Sequence, residues 1–385
     1  MSQVVIKDCK SYELNELTAQ LNEGIKAIGG WDKFVRPGMK VLLKVNLIGP
    51  KSSDSAAVTH CEFVRALTRI LREKGCTVWI GDSAGGAIAG ISPTVKSFEV
   101  SGLKRIAEEE GAVIKNFDRE GVQPVTPGGD ENRKMFLAKP MFEADLIINL
   151  PKFKTHMAGI YTGAVKNLFG CIPGLKKAEY HKMAPNTHEF GKVIADINES
   201  VKVGLHIMDG VIAMQGQGPT AGTVYHAQKI LISEDPLALD TVATKMLGLS
   251  IEKIPIFDAA RERNLGCWDL KQIQIIGDYS TPPALHGYQI PKVMNPSGRS
   301  SNILGKIVDF LKKRPRINMK TCKKCNVCVE SCPVCAIDTG TKKIDYAKCI
   351  ECLCCHELCM HQAVELKNDH ALAGFVMTIF GGGWR

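Results

Sequence analysis

Apolar and polar positions in the first 290 residues follow two alternating periods. Val4, Val5 and Ile6 form a short apolar run, and Leu14, Leu17, Leu21, Ile25 and Ile28 then recur at helical spacing. Residues 41–45 are apolar and β-branched apart from Lys44, which suits a buried strand. Phe63, Leu67, Ile70 and Leu71 predict a helix stopped at Gly75. Residues 76–80 (CTVWI) predict the next strand, with further strands at 112–114, 145–150, 203–208 and 229–232 and helices at 187–200 and 236–247. This alternation predicts an α/β fold, with a mostly parallel sheet carrying helices on both faces, over residues 1–290.

From 291 to about 320 the pattern dissolves. Pro291, Asn295, Pro296, Ser297 and Gly298 read as a linker, followed by a short amphipathic piece (Ile303, Ile307, Phe310, Leu311) and a basic run. A cysteine-rich segment follows at 321–366, then an apolar, glycine-rich tail at 367–385. That tail reads as packing on its own chain, as a partner contact or as a weak contact with a membrane surface. No transmembrane segment is expected, because the longest apolar stretch, 371–380, falls short of the roughly 18 residues a spanning helix needs. The N-terminus lacks the apolar core of a secretory signal, so a cytoplasmic location is expected.

Composition sharpens this picture in two places. At 45% hydrophobic and 23% charged, the 385-residue chain is too apolar to be mainly disordered. Lysine and arginine number 49 against 40 acidic residues, a formal net charge of +9. Lys312, Lys313, Arg314, Arg316, Lys320, Lys323 and Lys324 account for most of the excess, and no acid interrupts 312–324. The remainder is nearly neutral, and no aromatic residues interleave with the basic run, so nucleic-acid binding is not expected. An acidic redox partner, a ferredoxin or a reductase, would suit the basic junction.

Of the 15 cysteines, ten fall between Cys322 and Cys359. Shifted by 27 positions, Cys322, Cys325, Cys328 and Cys332 fall on Cys349, Cys352, Cys355 and Cys359. Both copies read C-x2-C-x2-C-x3-C. Structural zinc would use two separated pairs, and disulfides do not suit a cytoplasmic chain. Cys328, Cys332 and Cys335 also spell C-x3-C-x2-C, the radical S-adenosylmethionine spacing, but inside the repeat. Residues 320–366 closely resemble the bacterial two-[4Fe–4S] ferredoxin family, a small α+β domain. The resemblance implies two [4Fe–4S] clusters, one held by Cys322, Cys325, Cys328 and Cys359, the other by Cys349, Cys352, Cys355 and Cys332. Met360 departs from that pattern where proline is usual, and Cys335 and Cys354 are surplus to the eight ligands.

In the large domain, the strand expected at 145–150 ends at Pro151, followed by Lys152, Lys154, Thr155 and His156, then Tyr161, Lys166 and Asn167. Ligands of open α/β sheets bind beyond the carboxyl ends of strands, so Lys154 and Lys166 are candidates to hold an anion and His156 to move a proton. The alternative is a solvated loop. Residues 81–86 follow a strand and are glycine-rich, yet match neither phosphate-binding fingerprint. His156, His181 and His188 offer a third option, a metal site.

The segments VLLKVNL (41–47), LPKFKTH (150–156), TGAVKNLFG (162–170), MDGVIAMQGQGPTAG (208–222) and SEDPLALDTVATKMLG (233–248) resemble the domain-of-unknown-function 362 family. The resemblance implies an iron–sulfur protein of redox or anaerobic metabolism and adds Lys44, Asn46, Asp209 and Asp240 to the substrate-binding candidates, with Asn167. The expected function is an iron–sulfur oxidoreductase passing single electrons to or from an anionic small-molecule substrate, with any further cofactor unknown. The alternative is a non-catalytic electron carrier or assembly protein whose large domain docks a redox partner.

Overall fold

The computed structural model describes residues 1–87, 90–174, 176–291 and 313–368. The linker from 292, the amphipathic piece, Lys312 and the tail from 369 lie outside the described residues.

The strands are β1 (Ser2–Asp8), β2 (Lys40–Lys44), β3 (Thr77–Asp82), β4 (Val113–Asn116), β5 (Val122–Val125), β6 (Met135–Ala138), β7 (Leu146–Asn149) and β8 (Lys152–His156). They continue with β9 (Ile160–Thr162), β10 (Leu205–Gln215), β11 (Thr223–Tyr225), β12 (Lys229–Ser233), β13 (Ile273–Gly277), β14 (Lys313–Ile317) and β15 (Val364–Asn368). The main sheet runs β13-β1-β12-β10-β7-β2-β3-β4, with β8 and β11 paired to β10 and β9 paired to β8. Pairing is parallel from β10 through β7, β2 and β3 to β4, whereas β12 lies antiparallel between β1 and β10. The sheet is mixed and mostly parallel, in an α/β fold.

The parallel half forms for the reason its sequence shows. In β2, β3 and β7 nearly every side chain is buried, so each strand reads as a continuous apolar run. One face is covered by the helices Leu14–Ala27 and Cys61–Glu73, which bury Leu17, Leu21, Phe63 and Leu67 against β2 and β3 residues. The other face carries the helices Thr187–Ser200 and Pro236–Met246, with Ile194, Leu239 and Val242 in the core. Asp235 starts the latter helix by accepting from the Leu237 and Ala238 N–H groups at 3.0 Å, and Pro236 occupies its first turn.

Residues 313–368 pair β14 with β15 antiparallel and carry two one-turn helices, Val327–Glu330 and Cys354–Glu357. These two turns are 27 residues apart, as are the left-handed residues around them. Lys324 and Glu351 have φ of 54° and 57°, Asn326 and Leu353 63° and 61°, Cys335 and Gln362 50° and 51°. The sequence repeat is therefore also a repeat of backbone conformation.

Candidate functional site

The chain does not become a solvated loop after Pro151. It re-enters the sheet as β8, and all five residues of KFKTH are buried. A strand alternates its side chains, so Lys152, Lys154 and His156 share one side while Phe153 joins the apolar core. Two buried lysines on one strand require partners, and they find different ones.

Lys152 ion-pairs with Asp209 at 2.7 Å, both fully buried. Tyr12 donates to Asp209 at 2.7 Å and accepts from Lys152 at 2.9 Å, while its ring stacks on His60. Asp209 thus neutralises a lysine and does not line the cavity described below, contrary to its expected place as a substrate contact.

Lys154 donates to Asn46 Oδ1 and to the Ala57 carbonyl, both at 2.6 Å. Asn46 donates in turn to Asn167 Oδ1 at 2.8 Å, and Asn167 to Asn149 Oδ1 at 2.7 Å. The sequence candidates Lys154, Asn46 and Asn167 are therefore joined through 121 residues of chain by one chain of hydrogen bonds. Burial, with the neighbouring Lys166 charge, holds the Lys154 ammonium well below its usual pKa.

These residues line a cavity of about 160 Å³ between the sheet and the cysteine segment. Lys166 lines it too, and among the described residues its ammonium makes no hydrogen bond or ion pair; burial lowers its pKa, opposed by the Glu357 charge. The far wall comes from the cysteine segment, with Cys354, Glu357 and Leu358. Burial pushes the Glu357 carboxyl up to about 7, against the pull of Lys166 and Lys154.

His156 Nδ1 accepts from the Gly159 N–H at 3.0 Å, which places the imidazole proton on Nε2. Nε2 lies 3.2 Å from Glu357 Oε1 but at an angle that makes no hydrogen bond. Burial, together with the Lys166 and Lys154 charges, pushes the His156 pKa well down, so the ring is neutral. His181 also lines the cavity, stacked on Phe190 at 4.5 Å, and burial takes its pKa down to about 3. His188 instead faces Asp258 at 3.2 Å. Among the described residues, no three His, Cys, Asp or Glu side chains converge on one metal position.

Lys44 is fully buried and ion-pairs with Asp82 at 2.9 Å. It supports the cavity from behind, because Asp82 is in the lining and Lys44 is not. Lys177, which sequence reasoning missed, joins the lining and donates to Ser83 Oγ at 2.5 Å; burial lowers its pKa to about 8. It sits in KKAEYHKM, whose polarity reads as a solvent-exposed helix; no local signal marks it.

Asp240 is buried and accepts from the N–H groups of Ala164 and Val165 at 2.7 and 3.0 Å and from Tyr161 OH at 3.2 Å. Burial pushes its carboxyl up to about 7 against those bonds. Asp240 therefore fixes the turn that carries Lys166 and Asn167, and does not line the cavity. The two glycines of TGAVKNLFG have matching reasons: a Cβ on Gly163 would collide with Asp240, and one on Gly170 with Asp82 and Lys44.

The 81–86 loop lines the cavity with Asp82, Ser83, Gly85 and Gly86 and also touches the cysteine segment. Gly85 and Gly86 lie under Leu358, and the Ala87 N–H donates to Ser331 Oγ at 3.1 Å. Thr220 Oγ1 donates to the Glu357 carbonyl at 2.6 Å. The glycine-rich loop seats the cysteine segment.

Within that segment, Cys322, Cys325, Cys328 and Cys359 line one small cavity with Lys342. Burial, with the nearby Cys359, Cys322 and Cys325 thiols, pushes the Cys328 pKa up to about 11. Cys349, Cys352 and Cys332 similarly crowd the buried Cys355 and hold its thiol high. The Ala336 and Ala363 N–H groups donate to Cys332 Sγ and Cys359 Sγ, each at 3.2 Å, again 27 residues apart.

Fold and site together define an α/β protein whose sheet carries a lysine-rich cavity closed by a duplicated cysteine segment. The profile of the family described as a domain of unknown function, DUF362, matches residues 41–245, and the chain belongs to that family. A thylakoid-associated protein of Synechocystis sp. is 34% identical over 256 residues, covering 66% of this chain and 77% of that protein. The lactate racemase apoprotein from Thermoanaerobacterium thermosaccharolyticum aligns over 60% of this chain and 54% of its own, at 10% identity and a TM-score of 0.37, too low to carry an argument. Among the described residues, no helix is long and apolar enough to cross a membrane.

Proposed function

We propose that this protein is an iron–sulfur oxidoreductase in which a ferredoxin-type segment exchanges single electrons with a small anionic substrate in the α/β cavity. The observation that carries the reading is the cavity's composition. Lys154 and Lys166 come from the sheet side, and Cys354 and Glu357, neighbours of the ligand candidate Cys355, close the other wall.

The cysteines suit two [4Fe–4S] clusters. A cubane takes its thiolates at four separate corners, so its ligands surround a small volume and do not meet at one point. Cys322, Cys325, Cys328 and Cys359 surround such a volume, and the N–H donors to Cys332 and Cys359 are of the kind that stabilise thiolates. Cys349, Cys352, Cys355 and Cys332 would hold the second cluster. When bound, the clusters supply single electrons. The chain's own residues do the rest: Lys166 pairs with the substrate anion, Asn46 and Lys154 fix the cavity wall, and His156 holds a proton on Nε2 facing Glu357. Exposed Lys320, Lys323 and Lys324 beside Cys322 and Cys325 suit an acidic redox partner, and a chain with this many thiols suits the cytoplasm.

The test is anaerobic purification followed by iron and sulfide analysis, with about eight irons per chain expected. Dithionite-reduced protein is then mixed with candidate organic acids. Substrate-dependent reoxidation that is lost in the Lys154, His156 and Lys166 triple variant supports the enzyme. Iron-loaded protein indifferent to every acid, or unaffected by the triple change, overturns it in favour of a carrier.

A further inference from the structure

We infer that the cavity selects small monocarboxylates over dianions, an inference that rests on reading this cavity as the substrate site. Three observations lead there. The first is size. A cavity of about 160 Å³ has room for an acid of a few carbon atoms.

The second is the number of uncommitted cations. Three lysines line the cavity. The N–H donors of Lys154 are directed to Asn46 Oδ1 and the Ala57 carbonyl, and those of Lys177 to Ser83 beside Asp82. Of these three lysines, only Lys166 has no hydrogen-bond or ion-pair partner among the described residues. One ammonium with uncommitted donors can pair directly with one carboxylate.

The third is what the rest of the wall offers. Glu357 faces the same space with no hydrogen bond to its carboxyl among the described residues, and Glu330 also lines it. A second negative charge on the ligand finds no free cation and meets these carboxyls. Leu47, Ile48, Phe169 and Leu358 complete the wall with apolar surface, which favours a short hydrocarbon over a fully hydrated phosphate.

The experiment is anaerobic calorimetric titration of the full chain with acetate, propanoate, malonate and phosphate. Propanoate is expected to bind at least as tightly as acetate, with malonate and phosphate weaker by about tenfold or more. Lys166→Met should abolish propanoate binding and Lys166→Arg restore it, which separates charge loss from misfolding. Glu357→Gln should narrow the gap between malonate and propanoate. Equal or tighter binding of malonate or phosphate to the unaltered protein, or undiminished binding by Lys166→Met, overturns the inference. Iron content and paramagnetic resonance on the same samples keep the two readings apart. Normal clusters without propanoate binding overturn the inference and leave electron transfer standing. Anaerobically purified protein that lacks iron yet binds propanoate overturns electron transfer and leaves the inference standing.

Discussion

Leu358 occupies the space that a side chain on Gly86 would need: a Cβ there would sit 3.0 Å from Leu358 Cδ1, on a residue whose φ is +85°. Only glycine adopts that backbone freely and lets the cysteine segment lie this close. Gly86→Val should therefore lift the segment off the sheet and open the cavity. Hydrogen exchange is expected to rise across 313–368 while β2 and β3 stay protected. Unchanged exchange in the segment would mean that Leu358 is not what holds it.

Asp240 supports the site from behind. Replacing it with alanine leaves the Ala164 and Val165 N–H groups without an acceptor and Tyr161 OH with only the Met208 sulfur at 3.7 Å. At about 1–3 kcal/mol for each buried unsatisfied group, with some relaxation, a loss of about 3–5 kcal/mol is expected. Asp240→Asn keeps the oxygen facing Ala164 but turns an amide donor toward Val165, and should cost less. Urea denaturation of both variants checks the order. Equal stability to the unaltered protein would make the carboxylate a spectator.

How much of this was legible depended on where each residue finds its partner. The parallel strands were readable because β2, β3 and β7 are buried on both faces, and that burial is written in their own residues. The helix at Pro236–Met246 was readable from Asp235 and Pro236, whose capping is local. Strand β8 was not, because Lys152 and Lys154 are buried only by virtue of Asp209, Asn46 and Ala57, which lie 57, 108 and 97 residues away. Five residues containing two lysines and a histidine look like a loop until those partners are known. The same holds for Lys177, whose partner Ser83 is 94 residues away. Lys154 and Asn167 stand out locally in the segment after Pro151, whereas Asn46 enters only through the family resemblance; hydrogen bonds between residues 108 and 121 apart in sequence join the three.

His206 gives the fold a defined acid sensitivity. It is buried, with Nδ1 3.0 Å from Asn149 Nδ2, and burial lowers its pKa to about 3. The unfolded imidazole titrates near 6.5. Below that pH the unfolded chain takes up a proton that the folded chain refuses. Stability is therefore full above about 6.5 and is lost as pH falls toward 3, by roughly 1.4 kcal/mol per pH unit for this one group. His206→Gln, which keeps an acceptor for Asn149, should flatten the slope of stability between pH 6 and pH 4 by about that amount. Urea midpoints across that range measure it, and an unchanged slope would show that His206 is protonated in the fold.

The proposed electron-transfer role gives the exposed lysines at the cysteine segment a testable consequence. Lys320, Lys323 and Lys324 are exposed and flank Cys322 and Cys325, so an acidic electron donor meets a local positive field even though most of the chain is nearly neutral. At 0.1 M ionic strength the Debye length is about 10 Å, so this attraction weakens steeply over the physiological range. Reduction of the protein by an acidic one-electron donor should slow as salt rises. Changing the three lysines to glutamate should reverse the sign of that dependence, slowing reduction most at low salt. The cavity residues Lys166 and Glu357 are untouched by the change, so propanoate binding should persist in the same variant. Stopped-flow reduction at several ionic strengths reads both the sign and the slope. A rate that ignores salt in both proteins would place electron entry elsewhere on the segment.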